Sequence, residues 1–114
     1  MPKKKILIID DEVDFCLLLK AFYSRRGFEV SLSHTLKDGL QCIRTLEPDI
    51  VFLDNNLPDG LGWNVASYIQ SNYPAVKLTL ISAYKSELPE LQQPAKVQVL
   101  EKPLNLEALE LYYN

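Results

Sequence analysis

Ile6-Leu7-Ile8-Ile9-Asp10-Asp11 is an unbroken apolar run that ends on two carboxylates. Two further runs have the same form. Ile50-Val51-Phe52-Leu53 is followed by Asp54, and Val97-Gln98-Val99-Leu100 is followed, one residue on, by Lys102-Pro103. Near-continuous apolar runs of this length suit central parallel strands that are covered on both faces. If the three are strands of one parallel sheet, their polar ends all emerge at its C-terminal edge, where open α/β sheets build their sites. Asp10, Asp11 and Asp54 converging there repel one another unless a divalent cation sits between them. Oxygen-only ligands of this hardness suit Mg²⁺ or Mn²⁺. A lysine arriving from the far side suggests an anionic visitor such as a phosphoryl group.

The pattern alternates along the whole chain. Strands are predicted at Lys5–Ile9, Glu29–Ser33, Ile50–Leu53, Lys77–Ile81 and Val97–Leu100, and the polar alternation of Glu29–Ser33 suits an edge. Between them, Val13–Arg26 carries Phe15, Leu18, Leu19 and Phe22 as an inward stripe and stops at Gly27. Thr35-Leu36-Lys37-Asp38 reads as a capping box that opens a second helix, with Leu36, Leu40 and Ile43 inward, ending before Pro48. A third helix is predicted from Gly62 to Asn72, with Val65, Ala66 and Ile69 inward, stopping before Pro74. Ser86–Gln93 is broken by Pro89 and closed by Pro94, leaving a short fourth helix. Asn105 is placed to cap a short, truncated fifth helix carrying Leu106, Leu109 and Tyr113. Five strands alternating with helices make a doubly wound α/β fold with a five-stranded parallel sheet.

The 114 residues, 47% of them apolar and 24% charged, are enough for one domain spanning 1–114 with a single core. A net charge of −3 argues against a nucleic-acid surface, because such surfaces need a basic face. The Lys3-Lys4-Lys5 run reads as a solvated lead-in to the first strand. No stretch is apolar for long enough to span a membrane or serve as a signal peptide, so a cytoplasmic location is expected. Cys16 and Cys42 lie within helical patterns without metal-ligand spacing. They read as buried or half-buried thiols rather than a disulfide.

Taken singly, the polar features have plainer readings. Asp11 can cap the first helix and Asp14 complement its dipole. Asp54-Asn55-Asn56 with Leu57-Pro58-Asp59-Gly60 can be a loop of turn residues. Ser82 can be a turn hydroxyl and Lys102-Pro103 a solvated strand end. Their joint occurrence, each at the end of a different strand, carries the chemistry. Asp54 would keep one oxygen free as a nucleophile. Charge building on the equatorial oxygens of a transferring phosphoryl group calls for the metal, an ammonium and a hydroxyl donor. Lys102 and Ser82 are positioned to supply the last two.

Asp10-Asp11, Asp54, Pro58, Gly62, Ser82-Ala83 and Lys102-Pro103, in this order and near this spacing, make the chain resemble the receiver domain of two-component response regulators over essentially its whole length. The resemblance implies a flavodoxin-like strand order 2-1-3-4-5. It implies Asp54 as phosphoacceptor, Asp11 as a direct Mg²⁺ ligand with Asp10 assisting, and the Asn56 carbonyl as a further ligand. It also gives Ser82 and Lys102 to the phosphoryl group. A histidine kinase or phosphotransfer protein would be the donor. An effector, as a C-terminal domain or a separate protein, would read the output, and a phosphorylation-dependent homodimer is compatible with it. Such a domain is a switch that assists its own phosphorylation and dephosphorylation, not an enzyme acting on other substrates.

The chain departs from this pattern in three places. Val99 stands where the family usually has an aromatic switch residue, with Tyr84 nearby as bulk at the site mouth. The connection before the fifth strand is shortened and broken by prolines, and the chain stops at Asn114, inside or barely past the last helix. Val99 and the broken fourth helix favour the competing reading, a receiver-like interaction module that works without phosphate, whereas the intact Asp54, the acidic pair and Lys102 oppose it. A flavin site is disfavoured because carboxylates after the first strand would repel phosphate. An aspartate-nucleophile phosphatase is disfavoured because Asp10 and Asp11 are adjacent. His34 reads as a solvated loop residue, Trp63 as a partly buried packing residue, and Tyr112 and Tyr113 as cover for the core.

Overall fold

The strand Ile50–Asp54 is buried at every position, as its apolar composition requires, and forms the middle of a parallel sheet. The computed structural model describes residues 3–83, 97–103 and 106–110. In chain order the elements are β1 (Lys5–Ile9), α1 (Val13–Arg25), β2 (Glu29–Ser33), α2 (Leu36–Leu46), β3 (Ile50–Asp54) and the two-residue strands β4 (Asn56–Leu57) and β5 (Gly60–Leu61). A 3₁₀ turn (Gly62–Val65), α3 (Ala66–Asn72), β6 (Lys77–Ser82), β7 (Val97–Glu101) and α4 (Leu106–Leu109) follow. The sheet order is β2-β1-β3-β6-β7, all parallel, with β4 and β5 a separate antiparallel pair. Counting the five sheet strands alone, this is the expected flavodoxin-like order. Each strand begins where its sequence pattern begins. Three run one residue further, so that Asp54, Ser82 and Glu101 close their strands.

Alternate residues of β1, β3, β6 and β7 enter opposite cores. Ile6, Ile8, Ile50, Phe52, Ile81 and Leu100 pack with α1 and with Leu109 of α4. Leu7, Ile9, Val51, Leu53, Leu78 and Leu80 pack with α2, α3 and the 3₁₀ turn. Covering both faces removes the strand side chains from water, worth about 1.5–3 kcal/mol for each large apolar side chain fully buried.

The α1 stripe differs from its expected position. Phe15, Cys16, Leu19 and Tyr23 are buried, whereas Leu18 is 56% exposed and Phe22 only partly buried. Residues 17–19 are all leucine, so periodicity does not choose between two neighbouring faces, and packing against Ile8 and Phe52 selects the one with Tyr23. Gly27 follows the helix at φ 88°, a left-handed conformation that favours glycine.

In α2, the Thr35 side chain accepts the Asp38 amide at 3.1 Å, the cap expected there, and Ile43 is buried with Leu36 and Leu40 packed beside it. The third helical segment starts as the 3₁₀ turn rather than as α-helix and becomes α3 at Ala66. Ala66 and Ile69 face the core as expected. No helix of the described residues is long and apolar enough to cross a membrane. The readings of Tyr84, Ser86–Gln93, Asn105, Tyr112 and Tyr113 lie outside the described residues.

Candidate functional site

The parallel register brings the site together. Ile9 pairs with Leu53, so Asp10 and Asp54 leave adjacent strands side by side. Asp54 in turn pairs with Ile81, which puts Ser82 one step beyond on the next strand. Ser82 pairs with Glu101, and the Lys102 amide donates to the Ser82 carbonyl at 2.8 Å. The sequence-predicted Asp10, Asp11, Asp54, Ser82 and Lys102 therefore all stand at the C-terminal edge of the sheet. Carboxylate oxygens of Asp10, Asp11 and Asp54 lie within 4.8 Å of one another.

Asp10 is completely buried. Its Oδ1 accepts the Glu12 amide at 2.8 Å, and the Lys102 ammonium lies 3.0 Å from Oδ2 and 3.3 Å from Oδ1. Burial still holds the Asp10 pKa above the ordinary carboxylate value, because one partly exposed ammonium and one amide do not replace full hydration. The plainer reading of Asp11 as the cap of the first helix does not hold. Glu12, not Asp11, occupies the N-cap position of α1 without a side-chain cap bond, and the inward-turned Asp10 receives the Glu12 amide instead. Asp11 is exposed at the rim of the cluster.

Lys102 also meets Glu12 Oε1 at 3.3 Å and stands 4.6 Å above the centre of the Phe15 ring. Burial alone would lower its pKa, but Asp10, Asp54 and Glu12 together outweigh that and raise it, so the ammonium is firmly protonated. Sequence reading missed Glu12 as a partner. Its signal was the third acid in Asp10-Asp11-Glu12.

Asp54 is 4% exposed, and its Oδ1 accepts the Asn55 amide at 2.9 Å. Burial, then the Asp10 carboxylate, pushes its pKa up to about 6, against the opposing pull of Lys102 and the Asn55 and Asn56 amides. The carboxylate is thus mostly ionised at neutral pH yet more basic than a free aspartate. Asn56 is exposed at the start of β4, and Ser82 is buried at the end of β6.

The loop after Asp54 is tied down from several sides. The Gly62 amide donates to the Asn55 carbonyl at 2.9 Å, and the Trp63 amide to Asn55 Oδ1 at 3.1 Å. The Trp63 indole N–H reaches the Leu53 carbonyl at 3.3 Å. Trp63 is buried, more deeply than a packing residue at a helix start was expected to be. Gly62 is required because a Cβ there would run into the Asp54 carbonyl oxygen. Asp59, read as a turn residue, accepts the Leu36 and Lys37 amides at 2.7 and 2.9 Å and so caps α2 from the loop. Those two amides hold its pKa below the usual carboxylate value.

His34 is exposed, as expected, but it is not merely solvated. Its Nδ1 lies 2.9 Å from the Asp10 carbonyl oxygen, which also accepts from Cys16 Sγ at 3.2 Å. The contact requires the proton on Nδ1. Nothing in the local sequence signals it; it follows from the pairing of β1 with β2.

The donor set fits a hard divalent cation. Three carboxylates converge at a buried edge, and burial and mutual repulsion raise the pKa of two of them, a penalty that a bound cation would relieve.

A family model, the response regulator receiver domain, matches residues 6–114. Response regulator protein PilR of Pseudomonas aeruginosa is 30% identical over 108 residues, covering 93% of this chain and 24% of that protein. Sensor histidine kinase AtsR of Burkholderia thailandensis is 33% identical over 108 residues, covering 90% of this chain and 18% of that protein. The chain thus spans about a quarter or less of these curated relatives. A two-component response regulator from Clostridium difficile superposes with a TM-score of 0.81 at 29% identity, covering 96% of this chain and 91% of that one. Response regulator protein TrrA of Thermotoga maritima, crystallised in complex with Mg²⁺-BeF, shares the fold with a TM-score of 0.78 at 24% identity, covering 95% of this chain and 94% of that one.

Proposed function

Because this chain belongs to the response regulator receiver family, we propose that it is a cytoplasmic phosphoacceptor switch that takes a phosphoryl group onto Asp54 from a histidine kinase or phosphotransfer protein. The observation that carries this reading is the convergence of Asp10, Asp11 and Asp54 oxygens beside the Lys102 ammonium at one buried sheet edge. In the proposed step, an Asp54 oxygen forms a bond to phosphorus while the phosphorus–nitrogen bond of the donor breaks. The electron pair returns to the donor imidazole, which takes a proton from solvent. With its pKa near 6, Asp54 needs no base to deprotonate it at neutral pH.

Asp10, Asp11 and Asp54, with the Asn56 carbonyl, are the residues we assign to Mg²⁺, with Mn²⁺ as a substitute. When bound, the cation supplies positive charge that screens the carboxylates from one another and from the incoming phosphoryl oxygens. Lys102 contributes its ammonium to those oxygens, and the Ser82 hydroxyl donates to one of them. Taking up that role draws Lys102 away from Asp10 and Glu12, which couples the charge on Asp54 to the start of α1 and the end of β7.

The competing reading, a module that works without phosphate, is supported by Val99, a half-buried aliphatic side chain packed with the second core cluster where an aromatic is usual. A module that works only by surface contacts gains nothing from buried, mutually repelling carboxylates, so we favour the phosphoacceptor. Output through an attached effector domain or a separate protein, including a phosphorylation-dependent homodimer, belongs to the same proposal.

The test is incubation with Mg²⁺ and acetyl phosphate, followed by intact-mass spectrometry. The wild type should gain one phosphoryl group and Asp54→Asn none. Equal incorporation into both would move the acceptor elsewhere, and no incorporation into either would favour the module.

A further inference from the structure

Away from the Asp54 cluster, α2 and α3 flank a groove of about 320 Å³ lined by Lys37, Leu40, Gln41, Arg44, Tyr68 and Tyr73. None of the six belongs to the phosphoacceptor site. Leu40 and Tyr73 are partly buried against the second core cluster and make an apolar floor. Lys37, Gln41 and Arg44 are exposed on the rim, and Tyr68 opposite them is 51% exposed. Four of its six lining residues are exposed, so the groove opens to solvent. It suits a side-chain ridge from another protein better than an enclosed small molecule.

The charge of the rim is the informative part. The chain as a whole carries −3, yet the charged residues lining this groove are both cationic. Among the described residues neither Lys37 nor Arg44 takes part in an ion pair. Asp59 feels the charge of Lys37, but its carboxylate accepts the Leu36 and Lys37 amides and does not line the groove. Lys37, Gln41 and Arg44 recur at helical spacing on one stripe of α2, so the two cations stand about 10 Å apart along the axis. A complementary helix would carry acids seven residues apart with apolar side chains midway between them.

We infer that this groove docks an acidic amphipathic helix of a partner protein, seating an apolar side chain over Leu40 and Tyr73 between carboxylates that pair with Lys37 and Arg44. The surface acts independently of the chemistry at Asp54 and does not rest on it. Affinity falls with added salt, because both ion pairs form at an exposed rim.

The probe is a fluorescein-labelled, end-capped helical peptide with Glu at positions i and i+7 and Phe and Leu at i+3 and i+4. Its control has the same composition with the glutamates moved to the opposite face. Fluorescence anisotropy should show saturable binding of the first peptide to the intact chain and about tenfold weaker binding of the control. Lys37→Glu/Arg44→Glu should abolish binding, and Tyr68→Ala should weaken it. Both variants should keep the wild-type circular-dichroism spectrum and the wild-type response of Trp63 fluorescence to Mg²⁺. Equal binding of the two peptides, unchanged binding by the double variant, or no saturable binding would overturn the proposal. Saturable binding of naphthalene-2-carboxylate without peptide binding would also overturn it, by assigning the groove to a small aromatic anion.

Discussion

The Lys102 ammonium lies 3.0 Å from Oδ2 of the fully buried Asp10, so the cation of the site is engaged before any phosphoryl group arrives. Removing it by Lys102→Met strands a buried carboxylate and should cost about 3 kcal/mol at neutral pH, the low end for breaking such a pair, since Lys102 retains some exposure. The loss should shrink as pH falls, because the Asp10 pKa is already raised and a protonated Asp10 needs no partner. Asp10→Asn/Lys102→Met should be more stable than Lys102→Met alone. Urea denaturation of the three proteins across pH measures this, and a pH-independent loss would mean that the pair is not the cause.

Asp54 leads to a prediction of opposite sign. A carboxyl with a folded pKa of about 6 and an ordinary value of 3.8 adds stability below pH 3.8 and loses it as pH rises through about 6. That difference corresponds to up to about 3 kcal/mol. Without divalent cation at pH 7, Asp54→Asn should therefore be more stable than the wild type, and the gap should close by pH 4. Adding Mg²⁺ should stabilise the wild type more than the variant, because only the wild type offers the full ligand set. Thermal melts with and without chelator check both arms.

His34 holds the Asp10 carbonyl by a 2.9 Å contact. His34→Ala should weaken Mg²⁺ binding through loss of one positioning bond, about 1 kcal/mol or a few-fold in affinity. His34→Asn should restore most of it by presenting a side-chain N–H in a similar place. Trp63 is the chain's sole tryptophan and donates to the Leu53 carbonyl next to Asp54, which makes its fluorescence the natural titration signal. Equal affinity in all three proteins would leave His34 without a role.

The Asp59 cap of α2 should be visible in acid titration. Its folded pKa is lowered, so its contribution is present above the ordinary value of 3.8 and is lost as pH falls through the folded one. Asp59→Ala should lower the melting temperature at pH 7 and converge with the wild type in acid. A constant difference at all pH values would assign the effect to the turn rather than to the carboxylate.

Much of this was legible in the residues themselves. The apolar runs ending at Ile9, Leu53 and Leu100 marked the strands because a fully covered strand leaves no polar alternation to misread. Their C-terminal polar residues marked the site because parallel strands all end at one edge. What stayed hidden depended on contacts between segments distant in sequence. Leu18 was expected inward and Tyr23 was not, since three consecutive leucines blur the helical period until the sheet decides which face is covered. The plainer reading of Asp11 as a cap stayed open because local sequence does not reveal that Asp10 turns inward under Lys102, 92 residues away. Asp59 looked like a turn residue because its partners Leu36 and Lys37 belong to another element. The start of α3 winds as a 3₁₀ turn, with Gly62 packed against the Asp54 carbonyl and its amide bonded to Asn55.

The central claim is that the nucleophile is the Asp54 carboxylate. The protein is phosphorylated with acetyl phosphate and Mg²⁺, treated with sodium borohydride and mapped by peptide mass spectrometry, because hydride reduces an acyl phosphate to a primary alcohol. Homoserine at position 54, absent when acetyl phosphate or Mg²⁺ is omitted, is the result the account predicts. Homoserine at position 10 or 11, or a phosphoryl group that resists borohydride, would contradict it.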